Sequence, residues 1–273
     1  VTRRLINRHP TQGSALILGA LPFIILAGVY LVFSTLRLAD NPDDKLLPAL
    51  GTIIQTMQRM AFQPDQRSGN YLLWADTFAS LTRLFAGLAI STLSALILGV
   101  GIGLLPYVRA WIAPAVAVIS LIPPMAILPI LFIMFGLDEL SKIMLIIIGT
   151  APFLIRDMAG RVAEMPSELL IKAQTLGGST WQIVTRVVVP QLLPRLIDSL
   201  RLQLGTAWLF LISAEAIAAT EGLGYRIFLV RRYLAMDVIL PYVAWITLLA
   251  FLMDWALRKL NSTAFPWMYR RAG

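Results

Sequence analysis

Residues Thr77–Leu105 read TFASLTRLFAGLAISTLSALILGVGIGLL, a run of 29 residues in which Arg83 is the one charged side chain. About 20 such residues carry a helix across the roughly 30 Å hydrocarbon core of a bilayer. The rest of the chain repeats the pattern. Of 273 residues, 58% are hydrophobic and 14% charged, and mean hydropathy is +0.76, beyond what a soluble domain needs. A large soluble helical domain would interrupt these runs with charge, and a membrane barrel would show short alternating strands. The sequence therefore predicts an all-α, polytopic integral membrane protein of about six transmembrane helices. Its spans fall near Ser14–Phe33, Thr77–Leu105, Ala110–Phe135, Ser141–Ile155, Leu192–Thr220 and Val238–Leu257.

Residues 1–13 read as a basic leader with the single histidine, His9, and residues 14–273 as one transmembrane domain with its core at about 77–257. The apolar run after the leader is longer than a signal-peptide core and lacks a small-x-small cleavage pattern, so it reads as a retained first span. With six spans both termini share a side with Arg109 and the polar stretch 156–195. That side collects thirteen Lys and Arg (Arg3, Arg4, Arg8, Arg109, Arg156, Arg161, Lys172, Arg186, Arg195, Arg258, Lys259, Arg270, Arg271). The other side has seven (Arg37, Lys45, Arg59, Arg67, Arg226, Arg231, Arg232). The excess predicts cytoplasmic termini. Segment 36–76 is then external, with an amphipathic helix over Leu47–Met60 lying on the outer surface. The absence of cysteine excludes thiol chemistry and disulfides, and the net charge is +8. Orientation and anionic lipid account for the charge without a nucleic-acid partner.

The island 156–195, RDMAGRVAEMPSELLIKAQTLGGSTWQIVTRVVVPQLLPR, is the polar exception in this apolar chain. Pro166-Ser167-Glu168 reads as a helix start with Ser167 as cap, and Leu169, Leu170, Ala173 and Leu176 form one apolar face. Gly177-Gly178 makes a sharp turn. Ser179 caps a second short helix carrying Trp181, which ends before Pro190. Such a helical hairpin with exposed apolar residues fits a groove on a partner.

The spacing resembles the EAA loop of bacterial ABC importer permeases, the segment that seats in a cytoplasmic ATPase. It is carried by Ile171-Lys172-Ala173, Gly177 six residues on, and Val187-x-Val189-Pro190. Ile171 replaces the usual Glu and Lys172 the first Ala, so any polar contact of that Glu falls to another residue such as Glu168, one turn earlier. Ser80-Leu81-x-Arg83 with Gly87, Ile122-Pro123-Pro124, Leu204-Gly205-x-Ala207-Trp208, Ala214-Glu215 and Gly222-Leu223-Gly224-Tyr225 are similar to the nitrate, sulfonate and taurine branch. The resemblance implies a type I importer permease in a bacterial inner membrane. Its partners would be a second permease subunit, as a homodimer, two ATP-binding subunits and an extracytoplasmic binding protein. ATP and Mg would be held by the ATPases, because this chain has no Gly-rich phosphate loop. The coupling residues implied are Glu168, Ile171, Lys172, Ala173, Gly177, Gly178, Ser179, Trp181 and Pro190, and no cofactor or metal belongs to the chain itself.

Within the spans, Pro123-Pro124 and Pro129 predict two breaks in the third, beside Met125 and Leu128, and Gly99, Gly101 and Gly103 predict close helix contacts in the second. Glu215, deep in the fifth span, must face protein or water. It reads as a structural group at a helix seam or as a gate beside Trp208, Gly222 and Gly224. Asp198 and Arg201 have the spacing of an i,i+3 pair. No paired acid and base or metal-ligand spacing is present, so an enzyme is not expected. A small anion such as nitrate, taurine or an alkanesulfonate follows from the branch resemblance alone. An amino-acid or metal-chelate permease, or a scaffold that recruits an ATPase without transporting, remains the alternative. A tag at either terminus is expected to react with a membrane-impermeant reagent only after cells are opened; labelling in intact cells would reverse the assigned orientation.

Overall fold

A computed structural model describes residues 10–42, 44–66 and 69–269. Most of the basic leader, His9, and Arg270 and Arg271 lie outside the described residues. The described residues form helices α1 (Gln12–Asp40), α2 (Leu50–Phe62), α3 (Leu72–Leu104), α4 (Pro106–Ile119), α5 (Pro124–Phe135), α6 (Glu139–Ala163) and α7 (Ser167–Thr175). They continue as α8 (Thr180–Ile183), a π turn (Val184–Val188), α9 (Val189–Ala218), α10 (Leu223–Arg231), α11 (Met236–Ala264) and α12 (Pro266–Tyr269). Five helices are long and apolar enough to cross a bilayer, six if α4 and α5 count as one bent span.

Four of the expected spans change in outline. α3 begins at Leu72, before Thr77, because Leu72-Leu73-Trp74 extend the apolar run; this brings Asp76 into the helix. The short fourth span lengthens to 25 residues, since Arg156, Asp157 and Arg161 continue α6 instead of ending it. The third span is not straight. α4 and α5 meet at 97° across Ser120–Pro123, where Pro123 has an extended ψ of 116° before Pro124. Pro129 lies inside α5 without ending it, so there is one break and not two. Pro190 also fails to end its helix, because the π turn precedes it. The Val189 N–H bonds Val184 O, and the wider turn makes room for a ring that would press on the carbonyl four residues back in a regular helix. Thr180–Ala218 thus runs as one helix of 39 residues.

The chain groups into two compact units, residues 1–59 with 230–241, and 60–229 with 242–273. In the first, α1 starts at a Thr11 cap on the Ser14 N–H and buries none of its most apolar window. The Tyr30 hydroxyl donates to Pro48 O at 2.7 Å and Ser34 Oγ to Leu47 O at 3.0 Å, tying the following segment back to α1.

In the second unit the core is α3, α6 and α9. Leucines packed against lipid-like leucines gain little, so close backbone approach decides which helices meet. A Cβ on Gly99 would fall 2.5 Å from Met158 Cβ, and one on Gly103 2.4 Å from Val162 Cβ. Gly101 faces Val108 of α4 instead, at 3.3 Å. On the other side of α6, a Cβ on Gly149 would fall 2.1 Å from the Phe210 ring of α9. Thr150 donates to Ser91 Oγ at 2.8 Å and adds a polar tie between α3 and α6. Gly99→Val and Gly149→Val are each expected to cost about 1–3 kcal/mol by overpacking, read as a lower thermal unfolding midpoint in detergent. Gly205→Ala, where a Cβ meets nothing within 4 Å, should leave the midpoint unchanged or raise it.

Candidate functional site

Asp76, Ser80 and Arg83 stand at i, i+4 and i+7, one face of α3, and all are buried. Glu139 and Lys142 occupy the first turn of α6, and Glu215 the last turns of α9. These elements converge on the turn 219–222 and the start of α10. Arg83, 2% exposed, donates through Nη1 to Glu215 Oε1 at 2.7 Å and to Glu221 O at 2.9 Å. Its Nη2 reaches Glu139 Oε1 at 2.8 Å, and Nε bonds the other oxygen of Glu139. Lys142 Nζ donates to Glu139 Oε1 at 2.9 Å.

The same cluster holds the turn by its backbone. Gly222 N–H donates to Asp76 Oδ1 at 3.0 Å, Leu223 N–H to Ser80 Oγ at 2.8 Å and Gly224 N–H to Glu215 Oε2 at 2.8 Å. Ser80 Oγ in turn donates to Glu215 at 2.7 Å. Asp76 also accepts from Arg226 Nε at 2.8 Å and from the Tyr242 hydroxyl at 3.0 Å. Gly222 has φ +129°, and a Cβ there would lie 2.6 Å from the Glu215 carboxyl carbon. Three carboxylates (Asp76, Glu139, Glu215) and three cations (Arg83, Lys142, Arg226) balance within one knot. Such balance is what makes charge tolerable inside a membrane protein.

Toward the opposite end of α9, in its N-terminal half, Arg201 and Asp198 do approach, at 3.4 Å, but the shorter bond runs across helices from Arg201 Nε to Asp254 Oδ1 at 2.8 Å. Asn261 Nδ2 donates to Asp198 Oδ1 at 2.9 Å and to Pro194 O at 3.0 Å. Beyond this end lies the helical hairpin. α7 begins at Ser167 itself, with Pro166 at the cap position and no side-chain cap bond, so Ser167 does not cap. Gly178 N–H bonds Ala173 O at 3.0 Å and Gly177 N–H bonds Gln174 O at 2.9 Å, a Schellman closure with Gly177 at φ +77°. Ser179 does cap α8: Gln182 N–H reaches Ser179 Oγ and Ser179 N–H reaches Gln182 Oε1, a capping box. Leu170, Ala173 and Ile183 pack inward on the core. Leu176, expected on that apolar face, points outward and is 87% exposed, as Ile171 and Trp181 are also exposed. Glu168, Lys172 and Ser179 are exposed beside them, while Gly178 and Pro190 are half-buried.

Of the expected route or gate residues, Glu215, Gly222 and Gly224 meet in the knot, and Pro123, Pro124 and Met125 form the bend between α4 and α5. Leu128 and Trp208 are buried, at 2% and 3% exposure. Asp76, Glu139, Lys142 and Tyr242 were not singled out from the sequence. The i,i+4,i+7 row from Asp76 carries the signal for this face, and a span that begins at Thr77 leaves it out. Among the described residues no cluster of His, Cys, Asp or Glu could hold a metal. Arg83→Met should cost about 3–5 kcal/mol because it leaves Glu215 buried and unpaired, and Arg83→Met with Glu215→Gln should cost less than the two changes summed. A double-mutant cycle on thermal unfolding reads the coupling, and additive losses would dissolve the pair as a unit.

Residues 81–264 match the family model described as "Binding-protein-dependent transport system inner membrane component". The chain is 34% identical over 268 residues to the taurine transport system permease protein TauC of Escherichia coli (strain K12), covering 97% of this chain and 94% of TauC. It is 30% identical over 199 residues to the bicarbonate transport system permease protein CmpB of Synechococcus elongatus, covering 69% and 71%. Its fold resembles a chain of the MetNI methionine ABC transporter in an inward-facing conformation, with TM-score 0.59 and 20% identity over 77% of this chain and 98% of that one.

Proposed function

The chain belongs to the family of binding-protein-dependent transport system inner membrane components, and from that premise we propose that it forms the solute pathway of an ATP-driven importer for a small anion. As a family member it is a non-enzymatic membrane subunit. Two copies would pair with two cytoplasmic ATP-binding subunits, which supply ATP and Mg sites, and with an extracytoplasmic binding protein that delivers the solute. Taurine and bicarbonate, carried by TauC and CmpB according to their names, share a small anionic head with nitrate and the alkanesulfonates. That class is the substrate range of this reading.

One observation supports the coupling role above the others: the hairpin is closed by hydrogen bonds at its turn and still leaves large apolar side chains exposed. Its turn is closed by two Schellman bonds and its second helix by a capping box, while Ile171, Leu176 and Trp181 stay exposed. A chain spends no such exposure on an aqueous end without a partner to cover it. Ile171 where the family carries Glu makes this contact apolar, so packing replaces charge in seating the hairpin. Motion of the ATPases would then enter through residues 167–181 and travel along α9 to the knot, where the pinned turn at Gly222–Gly224 would gate the external side.

Reconstitution of the chain with its ATPase and binding protein in vesicles tests this. Uptake of taurine, an alkanesulfonate, nitrate or bicarbonate should depend on ATP, and the absence of uptake of any of them, with uptake of an amino acid or metal chelate instead, would overturn the anion reading. Gly177→Leu forces a side chain into a left-handed backbone, so it is expected to lower uptake at least tenfold while ATP hydrolysis persists; normal uptake would remove the hairpin from the coupling path.

A further inference from the structure

On the hairpin side of the second unit, a cavity of about 670 Å³ lies between the end of α6, the first turns of α9 and α12. Small-molecule sites span about 300–1,000 Å³. Its walls carry Arg161 from the last turn of α6, Glu164 just after that helix, Arg195 of α9 and Trp267 of α12, with Met165 and Leu192 beside them. None of residues 167–181 lines it. The exposed apolar side chains of the hairpin, Ile171, Leu176 and Trp181, are therefore a separate surface, and a partner seated on them leaves these charges unmet.

The charged groups on these walls do not satisfy one another. Arg161 meets Asp157 only at 3.5 Å, beyond a good hydrogen bond, and its Nε is buried without a hydrogen-bond partner among the described residues. Arg195 and Glu164 are exposed and make no ion pair or side-chain hydrogen bond among the described residues, although both line the same cavity. Counting Asp157 beside Arg161, two cations stand against two carboxylates, so the site is neutral as a whole and divided in sign. A plain anion would meet the guanidiniums and be repelled by Glu164. A ligand with both signs on a short spacer has no such conflict. Its oxyacid end accepts from the guanidinium forks, and its ammonium end reaches Glu164 or the face of Trp267, which is 55% exposed. Met165 and Leu192 offer the spacer an apolar wall.

We propose that this cavity binds a short zwitterion with an oxyacid group at one end and an ammonium at the other, the chemistry of taurine. The pattern of charge stands without any transport; only the link to a delivered solute rests on the importer reading. The test titrates labelled taurine onto the permease–ATPase complex, without a binding protein, in nanodiscs of phosphatidylglycerol. Saturable binding at one site per permease copy is expected. Isethionate, which keeps the sulfonate and lacks the ammonium, should compete at least tenfold more weakly. Arg195→Glu should weaken taurine at least tenfold. Glu164→Gln should weaken taurine as much and leave isethionate unchanged or tighter, whereas a merely structural role would weaken both and overturn the proposal. Both changes are at exposed positions, so the fold tolerates them. No saturable binding, binding that survives both variants, or equal competition by isethionate would overturn it too. Loss of taurine binding on adding phosphatidylethanolamine would assign the cavity to a lipid headgroup that carries the same two charges, and so overturn the free ligand. Binding is read without uptake, so a complex that imports no anion can still fill the cavity and one that imports can leave it empty; the two readings fail separately.

Discussion

Arg83 and Glu215 are opposite charges 2.7 Å apart with almost no contact with solvent. In a medium of low dielectric neither can be left alone, and an arrangement of α3 against α9 that parted them would leave Glu215 buried without its cation. Apolar helices in hydrocarbon have little reason to choose one register over another, because leucine meets leucine or lipid with similar gain. The pair supplies that reason. It fixes the axial position of α9 on α3, Glu139 extends the constraint to α6, and Asp76 extends it to α10 and α11 through Arg226 and Tyr242. The backbone N–H groups of Gly222, Leu223 and Gly224 are then satisfied only if the turn sits against Asp76, Ser80 and Glu215.

Packing follows where the ion pairs have set the register. Gly99 and Gly103 of α3 lie opposite Met158 and Val162, and Gly149 lies opposite Phe210. Each contact works only when a small residue and a large one arrive at the same height. A shift of one residue would replace a fitted contact by a clash on one helix and a void on the other. The second polar cluster, Asp198, Arg201, Asp254 and Asn261, ties the N-terminal half of α9 to α11 as Arg83 ties its C-terminal end to α3, so α9 is held by polar groups at two heights.

Much of this was legible in the chain. The apolar runs announced the spans, Gly177 and Ser179 announced the closure and cap of the hairpin, and Gly99, Gly101 and Gly103 announced close helix contacts, the first and last with α6 and the middle one with α4. The rest is illegible for physical reasons. Charged residues normally mark the end of a span, so the sequence places Asp76 in the loop before α3 and Arg156 in the island after α6, though both lie inside helices. A helix may leave the hydrocarbon without ending, and composition does not distinguish the two events. Proline invites the same error: Pro123-Pro124 breaks a span while Pro129 does not, and the π turn that lets Pro190 pass has no signature in residue type. The pairing of Arg83 with Glu215 joins residues 132 positions apart, a distance over which a single sequence carries no periodicity.

That tolerated proline has a mechanical consequence. Between Trp181 and Glu215 the backbone never leaves the helix, so the two are joined by a strut about 51 Å long, well beyond the roughly 30 Å of hydrocarbon it crosses. A loop in that path would absorb a small displacement as a change of dihedral angle. A strut instead converts it into rotation, and each degree of tilt about its midpoint carries the two ends about 0.4 Å in opposite directions. The knot at one end is made of hydrogen bonds that lose their geometry within a few tenths of an ångström. The length of one helix and the shortness of those bonds together place them at the sensitive tip of a lever.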